Sequence, residues 1–351
     1  MPAASSRIVE GVTLMKDRLL SVVELMKYAL SRQVHANSFL YFSKLRETEP
    51  AAVQIDRITH AIALHPEDAQ AYYFRGLAYY DSASYQQAAA DFTRCLRLAP
   101  EMRHVINCRG MCYYLLGDYD RALADFERSN RADVCNMFAY RADIYRRKGE
   151  PERALADLQQ ALELEPDHPD LMYRLGRLHA EAGRDEQAIA SMDRLLARHP
   201  ASARAYELRG AAYLRLGRHD EALRDLSRCV ELAPAESRCY YYRGVANFRL
   251  RRYEPALADF RQAHELGYSP LARLLYYLGR AELALRHAGQ ALDWLNAAER
   301  QTKTDARLYY FRSQAYKELG DFVSYKLDLQ RARHLNARID QEAFAPDEHE
   351  L

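Results

Sequence analysis

No run of about 18 apolar residues occurs in this chain, so no segment of it reads as a membrane-crossing helix. Its opening, Met-Pro-Ala-Ala-Ser-Ser-Arg, lacks the basic start and compact apolar stretch of a secretory signal. Cysteine is scarce, six in 351 residues, and does not show the spacing of a disulfide scaffold. A small buried thiol is expected at Cys95 and at Cys229. The setting expected is intracellular, soluble and cytoplasmic, with a cytoskeletal or ciliary assembly left open. The final Glu348-His349-Glu350-Leu351 loosely matches a retention signal but has no entry signal to go with it. Charge of one sign is also missing: 50 Lys and Arg stand against 49 Asp and Glu, a formal charge of +1. That balance argues against a strongly basic nucleic-acid domain. The 12 histidines form no His-x-x-x-His pair. Cys108 and Cys112, with His104 and Cys135 near them in the pattern, fall short of a metal set, so neither metal nor cofactor is expected. A phosphate-cradling glycine loop, a nucleophile elbow and a paired-carboxylate motif are all absent, so no catalytic residue is named and no enzyme activity is expected.

Glycine is sparse, 14 residues, but placed by rule. Gly76, Gly110, Gly176, Gly210, Gly244 and Gly279 follow at intervals of 34, 66, 34, 34 and 35; Ala142 divides the long interval and Ser313 extends the series. Twelve residues after each comes alanine, at Ala88, Ala122, Ala154, Ala188, Ala222, Ala256 and Ala291 (one residue less often than the series itself, Tyr325 departing). A large apolar residue follows at Phe92, Phe126, Leu158, Met192, Leu226, Phe260, Leu295 and Leu329. Such a period marks a stack of small repeats. Small residues at two fixed positions predict a close crossing of two helices there, since a bulky residue forced into a packed contact costs about 1–3 kcal/mol. Gly217, with Gly117, Gly149, Gly183 and Gly320 at the same place, predicts a left-handed stop to the first helix. Asp118 predicts an N-cap for the second.

This pattern resembles the tetratricopeptide repeat, a helix–turn–helix of about 34 residues. The resemblance implies an all-α, right-handed superhelical solenoid, with repeats at 69–102, 103–134, 135–168, 169–202, 203–236, 237–271, 272–305 and 306–339. Two joints are irregular. The repeat from 103 is short, with Asp133 expected to cap the next helix; the repeat from 237 is long, and Ser269-Pro270 reads as an N-cap followed by proline at the first helical position. Residues 35–68 resemble a degenerate repeat, with Phe42 in place of the glycine and Gln54 in place of the alanine. Ahead of it, within 1–34, Met15, Leu19, Val22, Val23, Met26 and Leu30 share one helical face, a cap or a docking helix. Residues 340–351 read as an acidic tail and a candidate occupant of its own groove.

In tetratricopeptide proteins, positions 2, 5, 9, 12 and 13 of the first helix face a concave groove. Carried over, this gives a partner-binding set that is apolar and aromatic at one end, with Tyr73, Leu77, Tyr80, Met111 and Tyr114. It is basic at the other, with Arg204, Arg215, Arg238, Arg249, Arg273, Arg280, Arg307 and Lys317, interleaved by Tyr241, Tyr276 and Tyr310. The function implied is a protein–protein adaptor or scaffold that holds a partner segment, acidic at one end, since arginine forks onto carboxylates. Alternatives are single-stranded nucleic acid along the Arg/Tyr stripe and recruitment of substrate to an enzyme complex. No repeat has the lysine and asparagine pattern of the chaperone-tail clamp. Arg75, Arg109, Arg141, Arg209, Arg243 and Arg312, all one residue before the small position, are expected to pack their stems between layers.

Overall fold

The structure, a computed structural model, describes residues 42–128 and 134–342. The expected helix over 12–33, the cap Asp133 and the tail from 343 lie outside the described residues. Among the described residues there is helix and no strand. The chain divides into two units, Met1–Leu164 and Glu165–Leu351. In the first, a helical stretch at 42–48 and helix Ala51–Leu64 precede the pairs Ala69–Asp81 with Tyr85–Leu98, His104–Leu116 with Tyr119–Arg128, and Val134–Arg147 with Pro151–Leu164. The second holds Pro169–Glu181 with Asp185–Arg198, Ala203–Arg215 with His219–Leu232, and Ser237–Arg249 with Tyr253–Glu265. Leu271–Ala284 with Ala288–Gln301, Ala306–Glu318 with Phe322–Leu335, and the short Ile339–Glu342 complete it. The first helix of each pair is called A here and the second B.

Within each unit, a helix A packs on its own B and on the B before it, and most A helices also touch the next A. An A helix therefore buries more than one face. Leu271–Ala284 encloses an unbroken run from Leu274 to Glu282. A solenoid of this kind has no long-range core; each pair is stable only through its sequence neighbours.

The glycine of helix A works as expected, but against a different partner. A Cβ on Gly76 would lie 2.6 Å from the Phe92 ring, and one on Gly244 2.7 Å from the Phe260 ring. The obstructing residue is thus the large apolar one, not the alanine twelve positions on. The alanine contributes its carbonyl, 3.3 Å from a Cβ on Gly279 in the case of Ala291. Gly217 and its four counterparts are left-handed, and so are Ala83, Arg251 and Arg286 at the same turn position, although their side chains disfavour that conformation. Asp118 Oδ1 accepts from the Arg121 backbone N–H at 3.3 Å. Ser269-Pro270 is a cis peptide, and the helix begins at Leu271 with Pro270 in the cap position, so the expected Ser269 cap does not form. Cys229 is bonded to Cys239 as a disulfide, which corrects its expected role as a small free thiol. Cys95 and Cys112 are buried, and burial pushes both thiols up to about 12.

Candidate functional site: the face of the A helices

A ladder of arginine–aspartate forks runs through the repeats. Arg75, Arg109, Arg141, Arg209, Arg243 and Arg312 each grip an aspartate 16 residues on, across the A–B crossing: Asp91, Asp125, Asp157, Asp225, Asp259 and Asp328. The grip is bidentate; Arg109 Nε and Nη2 donate to Asp125 Oδ2 and Oδ1 at 2.8 and 2.6 Å. Several of these arginines also reach back to the preceding B helix, Arg75 to Thr59 and Arg109 to Thr93. They fasten three helices together and are spent on the scaffold. The sequence held the signal. Where the arginine is replaced by Leu175 or Leu278, the residue 16 further on is Ser191 or Trp294.

The expected binding residues fare unequally. In the first unit Tyr73, Leu77, Tyr80, Met111 and Tyr114 are all half-buried. Tyr73 stands edge-on to His104, and Tyr80 to Tyr85. Met111 packs on the cluster of Ala122, Phe126 and Ile144. Tyr114 Oη donates to Asp143 Oδ2 at 2.7 Å, and Asp143 also takes Arg146 and Arg147. Burial and that hydrogen bond push the Tyr114 hydroxyl up to about 12, so it stays a donor.

In the second unit much of the basic stripe is internally matched. Arg215 Nε donates to Asp185 at 2.7 Å, and Arg238 lies 2.6 Å from Glu207. Arg249 is half-buried and partnered. Two expected contacts are interior residues instead. Tyr241 is wholly buried, stacked on Tyr268 with centroids 4.2 Å apart. Arg280 is buried with its guanidinium over the rings of Phe248 and Phe311 at 4.8 and 4.5 Å. Both are held inside by aromatic neighbours, Tyr268 against Tyr241 and Phe248 with Phe311 against Arg280. Arg204 is exposed beside Tyr173, Lys317 is exposed beside Tyr325, and Tyr310 is half-buried edge-on to Phe311.

Three expected residues do converge. Arg273, Tyr276 and Arg307 line one cavity of about 290 Å³, together with Asp305, Tyr277, Ala298, Thr302 and Leu308. Asp305 Oδ1 accepts from the Arg307 backbone N–H at 2.9 Å and so caps helix Ala306–Glu318. Tyr276 is 6% exposed and its Oη has no hydrogen-bond partner in the protein. Sequence reading missed the cavity, Asp305 and Thr302; the irregular joint at Pro270, beside Arg273, was the available clue. Among the described residues no three metal-ligating side chains come together, and no helix is long and apolar enough to cross a membrane.

Models of the tetratricopeptide repeat match residues 55–103, 76–133, 145–212 and 203–236. The chain is a tetratricopeptide repeat protein. Similar solved structures agree in fold. A tetratricopeptide repeat protein of Parabacteroides merdae is 19% identical over 70% of this chain and 98% of its own, with a TM-score of 0.54. The C-terminal part of a repeat protein of Cytophaga hutchinsonii is 17% identical over 65% and 95%, with a TM-score of 0.57. PilF of Pseudomonas aeruginosa is 18% identical over 59% and 94%, with a TM-score of 0.52. No curated protein matches the chain. The tetratricopeptide fold supports a protein–protein interaction scaffold, and members of the family are in general interaction modules rather than enzymes.

Proposed function

We propose that this protein is a non-enzymatic scaffold that holds an extended segment of a protein partner against the A helices of residues 165–342. The observation that carries this reading is the convergence of Arg273, Tyr276 and Arg307 on one cavity, lined by the starts of two A helices and the end of the B helix between them. Exposed Arg204 lies over the Tyr173 ring in the same unit. Arginine and tyrosine are the side chains that interface hot spots favour. Phosphate tracking along a nucleic acid would need a row of uncompensated cations, and here Arg215 and Arg238 face Asp185 and Glu207. A protein segment with an acidic residue at one point fits this distribution better than a polyanion does.

The test is affinity capture with the intact protein beside an Arg204→Glu, Arg273→Glu variant, and beside a control in which exposed B-helix residues are reversed, Arg224→Glu with Arg300→Glu. Partners lost from the first variant and retained by the control are ligands of the A face. Recovery of the same proteins by all three baits would remove that face as the working surface.

A further inference from the structure

We propose that this chain pairs with a second copy of itself through the outer face of helix Phe322–Leu335, the last B helix, a surface apart from the A face. Val323 is 81% exposed and Leu327 51%, with Phe322 and Leu319 beside them at 60% and 53%. Single exposed apolar side chains are ordinary, whereas a contiguous group of them marks an interaction surface. Val323 and Leu327 stand four residues apart and so share one side of the helix.

The last repeat reverses a rule that the earlier ones keep. Where Val323 stands, they carry an exposed acid, except for Gln86 and Gly289. Where Leu327 stands, they carry an exposed alanine, except for Arg224 and Asp293. These are the solvent sites of a B helix. The site of Lys326 changes the other way: it is alanine or an aliphatic residue in every earlier repeat, buried in Leu155, Ile189 and Leu257. A further repeat stacked there would have to bury the Lys326 charge. The stack therefore closes on a polar face, as terminal repeats do, and the apolar surface lies on the side along which no repeat is added.

Charge selects the occupant. The apolar group is edged by Asp321, which caps the helix by accepting from the Ser324 backbone N–H at 3.0 Å. It is also edged by exposed Lys326, which makes no ion pair among the described residues. One charge of each sign favours neither an acidic nor a basic partner. It suits a copy running antiparallel: with Val323 of each set against Leu327 of the other, each Lys326 is brought toward the other's Asp321. A two-fold contact needs such a self-complementary patch. The patch is small beside a standard interface of about 800 Å² a side, so the dimer is weak, with a Kd on the order of 10–100 µM.

Sedimentation velocity of the full chain from about 1 to 300 µM, a span that brackets this Kd, is the experiment. The weight-average mass is expected to climb toward that of a dimer. Val323→Glu with Leu327→Ala restores the pair present at Glu186 and Ala190 and at Glu254 and Ala258. That variant gains an acid in the first helical turn, so it should keep or raise the melting temperature while weakening the pairing at least tenfold. Lys326→Glu should weaken it several-fold by setting acid against acid. A chain that stays monomeric throughout, a dimer that survives the Val323→Glu, Leu327→Ala exchange, or an affinity that Lys326→Glu leaves unchanged would each overturn the proposal. A monomeric chain whose Val323→Glu, Leu327→Ala variant loses proteins in capture would overturn it as well, by assigning the patch to a different protein.

Discussion

Removing Arg109 should cost far more than removing Arg109 and Asp125 together. In Arg109→Leu the Asp125 carboxylate, 4% exposed, loses both guanidinium hydrogen bonds. Breaking a fully buried pair from one side costs about 3–5 kcal/mol. The Arg109 side chain is 15% exposed, so water can follow the lost guanidinium in. The expected loss is then smaller, about 2–3 kcal/mol. Arg109→Leu with Asp125→Ser recreates the combination already present at Leu175 and Ser191, where the same crossing is held without charge. The double variant should lie within about 1 kcal/mol of the parent, since a buried ion pair and an apolar replacement are often close in free energy. The coupling is therefore at least about 2 kcal/mol, to which the cost of Asp125→Ser alone, measured as the fourth corner of the cycle, is added. Repeat stacks need not unfold in two states, so the assay is hydrogen exchange of helices His104–Leu116 and Tyr119–Arg128, read as local opening free energies, beside urea unfolding. If the two substitutions simply add, the forks are neighbours without mutual dependence and the ladder does not hold the crossings.

Other outcomes follow from single sites. Arg251 is left-handed with φ 60°, so Arg251→Gly should stabilise by about 0.5–1 kcal/mol once glycine's own flexibility is set against relief of the backbone, seen as a rise in melting temperature. Gly76→Ala should destabilise by about 1–3 kcal/mol because its Cβ meets the Phe92 ring at 2.6 Å, whereas Gly289→Ala, with nothing within 4 Å, should be neutral or stabilise by up to about 1 kcal/mol; equal effects in denaturant titrations would refute the packing account. Burial disfavours the charge of Asp143, but hydrogen bonds from Arg147, Tyr114 and Arg146 outweigh it and bring its pKa down to about 2. Its contribution is full above the unfolded value near 4 and is lost as pH falls through about 2, so the deficit of Asp143→Asn should shrink from about 2 kcal/mol at pH 7 toward zero across that window.

Helix content and the spacing of the A–B crossings could be read from the chain because their causes are local. Gly76 and Gly244 stand where the Phe92 and Phe260 rings of the same repeat press on helix A, and Gly217 sits where φ is positive. Where a cause lay one helix away, sequence reading went wrong or fell silent. Ala83, Arg251 and Arg286 take the left-handed turn because the flanking helices demand it, although their side chains disfavour it. Family position alone put Tyr241 and Arg280 on a binding face, yet aromatic rings from neighbouring helices and loops enclose both. Arg75, Arg109 and Arg312, expected to pack their stems, find their partners 16 residues on, a spacing that belongs to neither helix but to the way two helices cross. That this protein is a run of helix pairs follows from its residues alone, because periodicity and turn chemistry act within one repeat. Which long side chains are spent on the scaffold, and which, like Tyr276, keep a hydrogen bond to give, is set by the folded stack, because it depends on what the neighbouring helices bring within reach.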